Sequence, residues 1–260
     1  MALVATLSWL AYYVLDHWGI SWVLWVVLGL GVTAFLVEKV LQRSRRRKRE
    51  ADWDRWEQAI GDEVARPAAM TEIRERLKTV RRLGARTRLE QAHLSVMLAE
   101  LHDAAGAPAE GAKVLSQLPV DELEPAQAAV VRHAKVVCYL SAGDIESAEL
   151  TLSVRDEKTS ASDVDARLDL LGLMVAIEKG DAARALREAP AAARKAGDEE
   201  VELEARVVEA AALDALGRRA EALSKLDGVD APTLAGLARL GAPRVRPLAL
   251  EALTTRQARP

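Results

Sequence analysis

Gly143-Asp144-Ile145-Glu146-Ser147-Ala148 recurs as Gly180-Asp181-Ala182-Ala183-Arg184-Ala185 and again as Gly217-Arg218-Arg219-Ala220-Glu221-Ala222. With Gly106, the leading glycines stand 37 residues apart three times running. The fifth position after each is small: Gly111, Ala148, Ala185 and Ala222. The ninth is Leu115, Leu152, Ala189 or Leu226. A fixed period of this length marks a solenoid. Each unit reads as two short helices with the glycine at the turn, where a left-handed backbone costs least. The small residue then lets the second helix approach its neighbour closely. One such pair cannot bury its apolar face alone, so the pairs stack.

These turn segments resemble the turn and second-helix start of tetratricopeptide (TPR) repeats, over residues 86–230. The match is to the turn rather than to the first helix: Leu171-Gly172 lies one residue from the family's Leu-Gly position, and the period is longer by three. The resemblance implies an α-solenoid of TPR-like helix pairs and a protein-binding role. It carries over no particular ligand.

Composition agrees with an all-α chain. Half of the 260 residues are hydrophobic, yet all six tryptophans lie at or before Trp56, and Tyr139 is the only aromatic residue after it. The core of the C-terminal part must therefore be built from Ala, Leu and Val, which helices favour or tolerate. The one cysteine, Cys138, permits no internal disulfide and sits among apolar neighbours, as a core residue would.

Residues 1–42 read as a membrane anchor. From Gly19 to Val37 run 19 residues without a charge, near the length that crosses hydrocarbon as a helix. Trp18, Trp22 and Trp25 gather at one end as interfacial aromatics, and Lys39, Arg43, Arg45, Arg46, Arg47, Lys48 and Arg49 follow the other. That basic run places the following domain in the cytoplasm, at a bacterial inner membrane. Ala2–Leu15 either forms the first arm of a shallow hairpin turning at Asp16-His17-Trp18-Gly19 or lies along the interface beside a single span about 19–41. The run at 43–50 is a topology signal, a lipid-headgroup contact or a nucleic-acid contact. Against the last, residues 1–50 hold seven of the 36 basic and three of the 39 acidic residues; 51–260 keep 29 against 36, a net charge of −7 that repels phosphate.

Residues 51–85 read as linking or capping helices. Trp53, Trp56 and Ile60 form one apolar stripe, placed on the membrane surface or over the first face of the solenoid. Four helix pairs are expected at 87–104 and 108–117, 126–141 and 144–154, 163–178 and 181–195, and 199–215 and 218–227. Pro125 suits a first helical turn, Asp163 a cap, and Arg155–Ser162 a polar loop. A terminal helix pair in 231–260 would cap the stack.

No catalytic constellation and no phosphate-binding glycine loop stands out. His93, His102, His133 and Cys138 follow no zinc-ligand spacing, so neither a cofactor nor a metal is expected and the chain does not read as an enzyme. What remains is a binding surface. Aligning the turns places His93, Glu100, Asp103, His133, Val137, Leu140, Arg167, Leu170, Met174, Ile177, Glu178, Glu204 and Asp214 on the inner face. Val137, Leu140, Leu170, Met174 and Ile177 also suit a plain core. The expected function is a membrane-anchored scaffold that binds a protein partner, itself free to be membrane-bound, at the cytoplasmic face. The alternative is a structural subunit whose membrane segment makes the key contacts in an assembly.

Overall fold

The computed structural model describes residues 50–154 and 162–257, and the chain divides into two units, Met1–Arg55 and Trp56–Pro260. The expected membrane anchor, with its tryptophans and arginines, lies outside the described residues, as do residues 155–161 of the expected loop; its last residue, Ser162, is helical. Among the described residues no helix is long and apolar enough to cross a membrane. In the first unit, described residues 50–55 are helical, and Arg55 pairs with Asp52 at 3.2 Å.

The described residues are all-α, without a strand. α1 covers 50–61. Then follow α2 (Arg66–Arg82), α3 (Arg88–Ala104), α4 (Pro108–Ser116), α5 (Pro125–Ala142) and α6 (Ile145–Ser153). The second half holds α7 (Ser162–Glu178), α8 (Ala182–Ala196), α9 (Glu199–Ala215), α10 (Arg219–Leu226), α11 (Ala231–Leu240) and α12 (Val245–Gln257). Helices α3 to α10 pack each on the next, and α3, α5, α7 and α9 also pack side by side. That is a solenoid-like arrangement, with the odd-numbered helices on one face.

The turn glycines explain the period. Gly106, Gly143, Gly180 and Gly217 have φ of 76°, 77°, 96° and 76°, where a side chain would be strained. Each turn closes with the same two backbone bonds. At the second, Gly143 N–H donates to the Leu140 carbonyl and Asp144 N–H to that of Tyr139, at 3.0 and 2.9 Å. The equivalent pairs recur at Gly106, Gly180 and Gly217. This two-bond closure satisfies carbonyls that a helix end leaves orphaned. Asp144 and Asp181 then start the next helix by accepting the N–H groups of Ser147 and Arg184.

The small positions after the turns are contact points. Ala148, Ala185 and Ala222 are 0% exposed. At Gly111 an added Cβ would lie 2.9 Å from the Ala99 carbonyl and 3.0 Å from Cys138 Sγ. Close helix contact thus gives a core of Ala, Leu and Val. Leu115 and Leu226 are fully buried, each worth about 1.5–3 kcal/mol. Cys138 is buried as expected, and its thiol is pushed up to about 12 by burial, with Asp103 and Glu100 adding to the effect.

Trp56 packs against α2. It is fully buried, donates from Nε1 to Glu72 at 3.2 Å and lies 5.6 Å under the Arg76 guanidinium. Asp163 does not cap α7, which already includes Ser162; it lies in the first turn, where a carboxylate still favours the helix dipole.

The terminal pair does more than close the stack. Leu248 and Ala249 of α12 cover Leu213 and Leu226, and Arg219 pairs with Glu251 at 2.5 Å. The chain entering α12 also returns over the face shared by the odd-numbered helices. There Val245 joins the core of Leu140, Leu170 and Met174, with Leu237 and Ala242 packed against it.

Candidate functional site

A cavity of about 660 Å³ lies between that shared face and the returning segment. α5 lines it with His133, Val137, Leu140 and Ser141, α7 with Leu170, Leu171 and Met174, and α9 with Glu200, Leu203, Glu204, Val207 and Val208. Asp103 closes it from α3. Thr233, Gly236, Leu237, Gly241, Ala242 and Val245 form the opposite wall. The spacing of Leu170 and Met174, one helical turn apart, presents both to the same space.

The apolar walls carry a charged edge. Arg167 reaches Glu200 at 2.6 Å and Glu204 at 2.9 Å, so one guanidinium is shared by two carboxylates and the edge keeps a negative excess. His133 faces that edge and is held down at about 4, first by burial and then by Arg167, which keeps the imidazole neutral near pH 7. Burial raises the Glu204 carboxyl against the pull of Arg167. At the other end Asp103 is only 8% exposed, and its carboxyl rises to about 6 through burial, opposed by Ser141 and Arg246.

Seven of the residues expected on the inner face therefore meet at one cavity: Asp103, His133, Val137, Leu140, Leu170, Met174 and Glu204. Arg167 stands at its edge through its two carboxylates. His93 and Glu100 are exposed on the α3 stripe that ends at Asp103, about three turns and about one turn before that residue. Glu100 is open to solvent yet surrounded closely enough that desolvation, then Glu57 and Asp103, raise its carboxyl.

Three of the expected residues serve packing or pairing instead. Ile177 is fully buried in the core and does not line the cavity. Asp214 pairs with Arg219 at 2.6 Å across the turn. Glu178 accepts from Arg244 at 3.2 Å. The residues that the repeat alignment misses are those of the returning segment, together with Ser141, Leu171, Glu200, Leu203, Val207 and Val208. The segment falls outside the period, and Arg244 and Arg246 close to Pro243 are its one visible sign of a charged contact.

A hollow of about 820 Å³ bounded by α6, α7 and α8 makes a weaker candidate. Its lining interleaves Lys179, Arg184 and Lys195 with Glu149, Asp169 and Glu188, as a solvated surface does. No family model matches the chain, and no curated protein or solved structure matches it either.

Proposed function

We propose that this chain is a membrane-anchored scaffold of TPR-like helix pairs that binds a protein partner at the cytoplasmic face of a bacterial inner membrane. The observation that carries the reading is the cavity itself, where apolar side chains from α5, α7 and α9 stand beside Glu200, Glu204 and Asp103. Its volume falls in the range of sites that enclose a ligand or a few side chains of one. The four identical turns at 37-residue spacing support the TPR-like assignment. The uncharged stretch Gly19–Val37 and the basic run after it support the anchor and its orientation. Tethering would raise the local concentration of a partner that shares the membrane.

One observation favours the structural-subunit reading instead: the returning segment already lies over the shared face, which would leave the membrane segment to make the assembly contacts. Two measurements separate the readings. A reporter fused after Pro260 is active only in its cytoplasmic form; periplasmic activity overturns the localisation. Glu100→Lys, on the open part of the stripe, slows association with an adaptor's basic partner, and leaves a subunit's assembly unchanged.

A further inference from the structure

The segment that crosses the shared face is basic, apolar and basic in sequence: Arg244-Val245-Arg246. Each residue is docked differently. Arg244 Nε donates to Glu178 Oε2 at 3.2 Å. Val245 is buried among Leu140, Leu170 and Met174. Arg246 donates from Nη2 to the Ser141 carbonyl at 2.7 Å and from Nε to that of Gly241 at 2.6 Å, with Asp103 nearby.

This docking is incomplete. Glu178 Oε1 is buried and has no partner, so Arg244 satisfies half of a carboxylate through one bond. A guanidinium that meets both oxygens makes a stronger, geometrically defined pair, and an unpaired buried oxygen carries a desolvation cost. One helical turn back along α7, at Met174, the cavity of about 660 Å³ stays open between the segment and the inner helices. Charge and shape thus fit a better occupant than the one present.

Building on the scaffold reading, we infer that the partner presents a basic–apolar–basic peptide segment, which takes the place of Arg244-Val245-Arg246 on the face formed by Glu178, Leu140, Leu170, Met174 and Asp103. The partner's apolar residue enters the cavity, and one of its arginines pairs with both oxygens of Glu178. The chain's own segment acts as an internal competitor and sets the threshold for binding. This is extended-segment recognition, with apolar anchors giving grip and charge giving selectivity.

The test uses the full chain in nonionic detergent and a fluorescein-labelled peptide of the sequence Leu237–Leu250, followed by fluorescence anisotropy. The wild-type chain binds weakly, and Arg244→Ala with Arg246→Ala binds at least tenfold tighter. Adding Glu178→Gln removes the gain, and so does a peptide whose two central arginines are replaced by alanine. No gain with helical content retained overturns the inference, as does a gain that survives Glu178→Gln. A released chain that dimerises on size exclusion also overturns it, since the occupant is then a second copy's tail. If the double variant loses helix, Arg244→Ala alone is titrated: a threefold gain supports the inference and no gain overturns it. Failure of the peptide while a crosslinker at Glu100 still captures a membrane partner removes this inference and leaves the scaffold reading; failure of both removes both.

Discussion

Arg246 holds the carbonyl of Ser141 at 2.7 Å across 105 residues of sequence. That bond ties the segment leading into α12 to the end of α5 and converts an open row of helices into a site with two walls. A charged hydrogen bond of this kind contributes about 1.5–3 kcal/mol. Arg246→Ala is expected to lose about that much in urea unfolding followed by circular dichroism. A loss under about 0.5 kcal/mol, the range of ordinary surface changes, would mean the segment lies on the face without being held by it.

The contact points of the repeat are expected to be intolerant of volume. Ala185→Leu would push a large side chain into a fully buried position, and Gly111→Ala would meet the Ala99 backbone. Overpacking of this kind costs about 1–3 kcal/mol. Lys179→Ala removes only an exposed pair with Glu149 and should stay within about 0.5 kcal/mol. Equal melting temperatures for Ala185→Leu and Lys179→Ala would contradict the close helix contacts.

Asp103 and His133 should tilt stability with pH in opposite directions. The folded Asp103 carboxyl lies at about 6, above its ordinary 3.8; the unfolded chain releases that proton first. Its burial therefore costs stability above pH 6, on the order of 3 kcal/mol, and the cost fades as pH falls toward 4. The folded His133 lies at about 4, below 6.5. Its contribution is whole above pH 6.5 and is lost as pH falls toward 4. Melting profiles from pH 4 to 7 test both. Relative to Asp103→Asn, the wild type should gain stability on acidification; relative to His133→Gln, it should lose it. Parallel profiles for all three proteins would place both side chains in water.

Much of the fold was legible because a helix pair of fixed length needs a left-handed residue at the same place each time. Gly106, Gly143, Gly180 and Gly217 mark that need directly, and the paired helices end within a residue or so of the spans they imply. The alanines five positions later were legible for a related reason, since close contact excludes any larger side chain. The site was legible only in part. Helical spacing puts Leu170, Met174 and Ile177 on one stripe, but it does not say which of them meets a cavity and which meets the next helix. Asp214 sits near a turn, where the neighbouring Arg219 claims it. The second wall was not legible at all: it depends on Arg244, Val245 and Arg246 finding partners 66 to 105 residues away, and no local pattern encodes such a contact.

Site-specific photocrosslinking from the native membrane tests the central claim most directly. A photoreactive residue at Val137, on the cavity wall, is compared with one at Leu150, which is 67% exposed on α6. The account predicts that Val137 yields one discrete adduct with a partner and that Leu150 does not, and that the Val137 adduct grows when Arg244 and Arg246 are both replaced by alanine. An adduct from Leu150 with none from Val137 in either background would contradict it, and would move the binding surface off the face shared by α3, α5, α7 and α9.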